Sequence, residues 1–281
     1  MSAEFAFFSK YRIFLLILLL GVSVSVLAEK SLGNKLVHIP GGEFNMGCSI
    51  GDKNCGDDEG PLGGITVSVP EFHIDQYEVT VAEYEACMEA GKCKRPKDHQ
   101  RNKYCNLGDP SRGNHPVNCV DWDEALAYCE WKGKRLPYEA EWEKAARAGT
   151  ASPYPWGQDV DCTHAIVDDG KTFGSVPNEP DGCGEDRTWN VGSRNENKFD
   201  LYDMHGNAGE WTMNWYSPSA ISKIYAKGDL KGPQKGKQRV VRGGSWDENK
   251  ANLRSSFRNV KPPVSGKSIY GSIGFRCAVT N

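Results

Sequence analysis

Asp203-Met-His-Gly206-Asn-Ala208-Gly-Glu210-Trp211 is the segment of this chain richest in chemistry. Its two carboxylates, seven residues apart, flank a glycine-containing turn. Side-chain oxygens of Asp203 and Glu210, with the carbonyls of Gly206 and Ala208, could surround one hard cation. Ca²⁺ accepts roughly six to eight oxygens in flexible geometry and suits such a loop. The same residues also read as a plain Gly-Asn turn with two solvated acids and Trp211 in the core. Asp57, Asp58 and Glu59 form a second acidic cluster, which reads as a solvated loop rather than a metal site.

The ten cysteines offer a different chemistry: Cys48, Cys55, Cys87, Cys93, Cys105, Cys119, Cys129, Cys162, Cys183 and Cys277. All follow an N-terminal stretch with the marks of a signal peptide. Lys10 and Arg12 precede an apolar run from Ile13 to Leu20, and Val26-Leu27-Ala28 offers a small-residue cleavage site. Residues 1–28 are therefore read as a signal peptide and 29–281 as the folded domain; an uncleaved anchor is the rival reading. No cysteine directly follows the apolar run, which argues against a lipid anchor. An even number of cysteines behind a signal peptide implies five disulfides in the periplasm or outside the cell. Zinc is disfavoured because no CxxC pair occurs and the histidines lack ligand spacing.

Short elements must position these residues. Thr80 with Glu83, and Asp121 with Glu124, are capping boxes, each opening an amphipathic helix. A third helix is predicted from near Pro137 through Trp142 to Gly149. Residues 35–40 and 65–69 read as strands. From Thr150 to about Gly236 no helical period exceeds two turns, and a stretch that long needs disulfides, tryptophans or ions to pin it. With 31 Gly and 15 Pro in 281 residues, a loop-rich α+β domain is expected. The charge balance, 34 Lys+Arg against 37 Asp+Glu, argues against a nucleic-acid partner. GxGxxG and P-loop patterns are absent, so a nucleotide cofactor is not expected.

Several segments taken together resemble the formylglycine-generating enzyme, or sulfatase-modifying factor, family. They are Ile39-Pro-Gly-Gly-Glu-Phe-Asn-Met-Gly47, Tyr77-Glu-Val-Thr80, His115-Pro-Val-Asn118, Gly133-Lys-Arg-Leu-Pro137 with Glu139-Ala-Glu-Trp-Glu143, Tyr154-Pro-Trp-Gly157, the Asp203–Trp211 segment, Arg242-Gly-Gly-Ser-Trp246 and Gly274-Phe-Arg-Cys277. The resemblance spans about residues 35–279 and implies an irregular single domain with a C-type-lectin-like core. It implies a Cys129–Cys277 disulfide and a structural calcium at Asp203, Gly206, Ala208 and Glu210. A second family calcium site maps to Ile166, Val167, Asp181 and Cys183, where only Asp181 offers a carboxylate, so full occupancy is not expected. Proximity alone suggests the pairs Cys48–Cys55, Cys87–Cys93, Cys105–Cys119 and Cys162–Cys183, with other pairings among Cys87, Cys93, Cys105 and Cys119 left open.

The family's enzymes oxidise a substrate cysteine with O₂ through copper held by two thiols, one just after the Gly-Gly-Ser-aromatic motif and one a few residues on. Here Trp246 is followed by Asp247-Glu-Asn-Lys-Ala-Asn252, with no cysteine before Cys277. A further cysteine, which some members pair with one at the position of Ala146, is also absent. Cu(I) needs soft ligands, and Asp247, Glu248 and Asn249 are hard donors, so copper is not expected. The first reading is a non-catalytic, exported ligand-binding or accessory protein, with Trp246, Asp247, Glu248, Arg254, Arg258 and Tyr270 as candidate contacts; Trp246 and Arg254 read equally well as core. Its partner would be an exported protein, peptide or small molecule, with no membrane span after signal cleavage and a monomer expected. The alternative is an oxidoreductase of the same superfamily working without copper, as exported relatives lacking the thiols do in siderophore maturation, with Glu248 and His205 as acid/base candidates.

Overall fold

A computed structural model describes residues 34–96, 102–168, 183, 187–263 and 270–280. The expected signal peptide at 1–28 and Asp181 lie outside the described residues.

Three sheets organise the described residues. β1 (Leu36–Ile39), β4 (Phe72–Asp75) and β9 (Ala278–Val279) form one, in the order β1-β4-β9, and β2 (Gly42–Met46) pairs with β3 (Ile65–Val69) in another. The third, in the order β7-β6-β5-β8, joins β5 (Gly209–Trp215), β6 (Arg239–Arg242), β7 (Asn259–Lys261) and β8 (Ile273–Gly274). The helices are α1 (Val81–Glu89), α2 (Trp122–Trp131), α3 (Glu139–Arg147) and the short α4 (Ala220–Lys223). The mixture of helix and strand is the expected α+β fold.

Local sequence places the helix starts. Thr80 and Asp121 accept from the backbone N–H of Glu83 and Glu124, whose side chains accept in return from the cap N–H groups. The third helix runs as predicted and ends at Ala148 in the left-handed region, φ 46°, followed by Gly149 at φ 83°. β5 crosses the region in which the sequence shows no period. Its residues Gly209 to Thr212 are all buried, so no alternation marks it, and the polar Thr212 bonds the Val240 carbonyl at 3.0 Å.

Apolar packing falls into two main bodies. Tyr84, Trp122, Tyr128, Trp211 and Phe275 join α1 and α2 to the β5 sheet, and Ile39, Phe72, Ile74, Trp142 and Tyr225 join α3 to the small sheets. All ten cysteines are paired: Cys48–Cys55, Cys87–Cys93, Cys105–Cys119, Cys129–Cys277 and Cys162–Cys183. Cys129–Cys277 ties β9's approach to α2 across 148 residues. Loop entropy alone would make that worth about 4–5 kcal/mol.

Every residue of α3 is buried, its three glutamates included, and each glutamate is met by arginine. Glu139 accepts from Arg258 Nε at 2.6 Å and Nη2 at 2.9 Å, and from the Tyr225 hydroxyl at 2.9 Å. Glu141 takes both Nη atoms of Arg135 at 2.7 Å. Glu143 accepts from Arg242 Nη2 at 2.6 Å, Arg147 Nε at 2.9 Å and the Gly47 amide at 2.7 Å. A guanidinium fork matches a carboxylate in shape and charge, and without that match burying the carboxylate would be prohibitive. Removing one partner strands the other charge. Glu143→Gln should therefore cost about 3–5 kcal/mol in urea unfolding with disulfides intact, and a loss below about 1 kcal/mol would contradict this role.

Candidate functional site

The loop into β5 is strained and tightly packed. Asp203, Gly206 and Asn207 have φ of 57°, 95° and 60°. A Cβ on Gly206 would lie 2.2 Å from the Ile166 carbonyl oxygen, so the position takes only glycine. Asn207 N–H donates to that carbonyl at 2.9 Å. This turn delivers Asp203 and Glu210 to the same interior as a third carboxylate, Glu78, just before α1. Glu78 accepts from the Ala208 amide at 2.8 Å and the Asn207 side chain at 2.7 Å, while Asp203 accepts from the Gly192 amide at 2.7 Å.

Arg276 opposes this acidic group. Its Nη2 lies 2.7 Å from Glu210, whose other oxygen accepts from Trp142 Nε1 at 2.8 Å. Burial and the charge of Glu210 push Asp203 up to about 6. Glu78 is raised further, by burial first and then by Asp203 and Glu210. Burial alone would lower Arg276, but the three carboxylates, Glu210 foremost, outweigh it and hold it charged. The charge of Arg194 also acts on Asp203. Three carboxylates are thus gathered around one buried guanidinium, and both oxygens of Glu78 and of Glu210 already accept hydrogen bonds.

Among the described residues, ligand-type atoms of three Asp, Glu, His or Cys side chains come within 4.8 Å of one another only at Asp52, Cys55 and Glu59. Both carboxylates there are bound by Arg254 and Cys55 is in a disulfide, so the cluster is structural. Glu59, expected in a solvated loop, is only 2% exposed because Arg254 binds it through Nη1 at 2.6 Å and Nη2 at 2.7 Å. Asp58, half-buried, accepts from Tyr216, and Asp57 is exposed.

The candidate contact residues divide into two groups. Arg254 and Arg258 are buried on Glu59, Asp52 and Glu139, so their donors are directed inward. Trp246 is nearly buried with its ring 5.0 Å from that of Tyr104, Asp247 is exposed, and Tyr270 stands edge-on to Trp211 at 5.9 Å. Glu248 accepts from the Asn259 side chain at 2.8 Å, and burial raises its pKa. His205 is buried with Nδ1 2.6 Å from the Leu253 carbonyl and its ring edge-on to Trp156. Tyr104, 37% exposed, was not evident from sequence; nor was Glu78, although it lies within Tyr77-Glu-Val-Thr80.

Behind Tyr104 runs a line of buried amides. Asn118 Nδ2 donates to the Tyr104 carbonyl at 2.8 Å, and its Oδ1 accepts from the Asn106 amide at 2.8 Å. Asn106 then donates to Thr188 Oγ1 at 2.8 Å, which lies 3.2 Å from His115 Nδ1. Burial, and then the charge of Arg112, push His115 down to about 4. Between that value and the usual 6.5 the unfolded chain binds the extra proton, so stability is lost as pH falls through this window. His115→Gln should flatten the loss of stability between about pH 6.5 and 4 in thermal melts. An unchanged pH slope would contradict the assignment.

Known proteins resemble this chain over most of its length. The model of the sulfatase-modifying factor enzyme 1-like domain matches residues 24–281. The formylglycine-generating enzyme of Streptomyces coelicolor is 33% identical over 285 residues, covering 86% of this chain and 88% of that protein. The serine/threonine-protein kinase Pkn1 of Chlamydia trachomatis is 34% identical over 257 residues, but the chain spans only 38% of that kinase's length. Among solved structures, PvdO from Pseudomonas aeruginosa superposes with a TM-score of 0.68 at 30% identity, covering 88% of this chain and 94% of that one. Extending over nearly the whole chain, these likenesses show that it belongs to the sulfatase-modifying factor enzyme 1-like, or formylglycine-generating enzyme, family.

Proposed function

We propose that this is an exported, calcium-stabilised member of its family that recognises a ligand or assists maturation of an exported molecule, and does not carry out copper-dependent cysteine oxidation. One observation carries the reading. All ten cysteines are in disulfides, and none lies between Trp246 and Cys277, where the family's copper thiolates belong. Asp247, Glu248 and Asn249 follow the Gly-Gly-Ser-Trp motif instead, and hard oxygen donors do not fit Cu(I). Copper therefore does not suit the residues present.

Calcium does suit them. Asp203 and Glu210, with the Gly206 and Ala208 carbonyls, supply the hard oxygens that a divalent cation takes. The cation would hold the loop before β5 in its left-handed turn and so fix the strand beside Trp246. Recognition is assigned to Tyr104, Trp246, Asp247 and Tyr270. Large aromatic side chains lose little entropy on binding and suit such a surface. The five disulfides and the N-terminal segment support the periplasm or the extracellular space as its location. Among the described residues no helix is long and apolar enough to cross a membrane.

One preparation tests both halves. Mature protein, oxidised and dialysed against Ca²⁺ and Cu²⁺, should retain about one calcium and far less than one copper per chain. It should consume no O₂ with a cysteine-containing peptide. Stoichiometric copper with O₂-dependent oxidation would overturn the reading. Oxidation of another substrate without bound copper would favour the copper-independent oxidoreductase instead.

A further inference from the structure

Two large aliphatic side chains, Ile50 and Leu62, are 67% and 66% exposed. Ile50 lies in the loop closed by Cys48–Cys55, and the Gly63 N–H donates to the Cys48 carbonyl at 2.9 Å, which holds Leu62 beside that loop. A Cβ on Gly63 would sit 3.7 Å from Ile50 Cγ1, so the two aliphatic residues are neighbours. On the same stretch Arg254 binds Asp52 and Glu59, and Asp58 accepts from Tyr216. The exposed Asp57 is offset by the exposed Lys53. Single exposed aliphatic residues are ordinary, whereas a pair held together on a braced loop marks a contact surface.

Next to this loop runs a strongly basic stretch. Lys223, Lys227, Lys231, Lys235 and Lys237 are all exposed, and Asp229 is the one acid among them. Asp229 is itself engaged by the Lys231 backbone N–H at 3.1 Å. None of the five ammonium groups has an ion-pair or hydrogen-bond partner among the described residues. The chain as a whole carries a net charge of −3, so positive charge is concentrated here. Two contacts join the stretch to the loop. Ile221 of α4, two residues before Lys223, lies 3.7 Å from where a Cβ would stand on Gly47 or on Gly60. Tyr216 donates its hydroxyl to Asp58 at 2.9 Å and its N–H to the carbonyl of Gln238, next to Lys237, at 2.8 Å.

We propose that this surface docks on a membrane of anionic phospholipid, with Ile50 and Leu62 entering the headgroup layer and the lysines meeting its phosphates. Anionic headgroups supply the complementary charge, and the boundary of the acyl chains takes up the two aliphatic side chains. The kind of cation favours lipid over an acidic protein. Residues 223–237 contain no arginine, although arginine forks hold Glu139 and Glu143 of α3. Lysines on flexible stems, with no preset fork, suit mobile headgroups better than a fixed pattern of carboxylates. The proposal rests on neither the calcium turn nor the Trp246 surface, so each can fail alone.

Co-sedimentation of the mature, oxidised protein with lipid vesicles, without added calcium, tests it. Vesicles of phosphatidylcholine with about 30% phosphatidylglycerol should bind at least about tenfold more tightly than phosphatidylcholine alone, and the binding should weaken as salt is raised. Lys227→Glu combined with Lys231→Glu should lower the partition coefficient by about tenfold or more. Ile50→Ser combined with Leu62→Ser should lower it by about tenfold without adding charge. All four positions are exposed, so both variants should melt as the parent does. Equal binding to neutral and anionic vesicles, or a serine variant that binds as the parent does, would overturn the proposal. Retention on immobilised poly-glutamate with no vesicle binding would also overturn it, and would assign an acidic protein partner instead.

Discussion

The fold rests on carboxylates that have been taken out of water and matched to guanidinium groups. Helix α3 is buried on every side and carries three glutamates into the interior. Arg242 and Arg258 come from β6 and from just before β7, and Arg135 from the turn before α3, to meet them. The Arg242–Glu143 and Arg258–Glu139 pairs each fix two remote parts of the chain at one distance and one angle. A hydrophobic contact tolerates sliding, whereas a forked ion pair in a dry interior does not. This explains how a chain with short strands and long irregular connections can keep one arrangement. Arg254 on Glu59 and Asp52 extends the device to the disulfide-closed loop at Cys48–Cys55.

The acidic group at Glu78, Asp203 and Glu210 departs from this pattern. Elsewhere in the core carboxylates and arginines are matched closely; here Arg276 faces three acids with help only from Arg194. Ion pairs and disulfides hold the frame, and the segment after Gly-Gly-Ser-Trp246 contributes Arg254 and Arg258 to it.

Much of this was legible in the sequence, and the divisions have physical causes. Capping boxes at Thr80 and Asp121 act within one turn, so a local pattern revealed both helices. The short-range disulfides followed from nearness in sequence, while Cys129–Cys277 required the family resemblance. Asp203 and Glu210 stood out because they share one turn. Glu78 did not, since its partners Asn207 and Ala208 lie 129 and 130 residues away. Arg254 and Arg258 looked like contact residues for the same reason: Glu59 and Glu139 are 195 and 119 residues distant. β5, buried along its first four residues, lacks the alternation that reveals a strand.

The central claim is that this chain keeps its family's frame and has exchanged the soft metal site for an oxygen-lined surface. Competition for Cu(I) tests it most directly: the oxidised, mature protein is titrated into a coloured Cu(I)–chelator complex under anaerobic conditions and the loss of colour is followed. The account predicts that the protein withdraws no copper, because every thiol is in a disulfide and the residues after Trp246 are oxygen donors. Removal of one Cu(I) per chain from the chelator would contradict it.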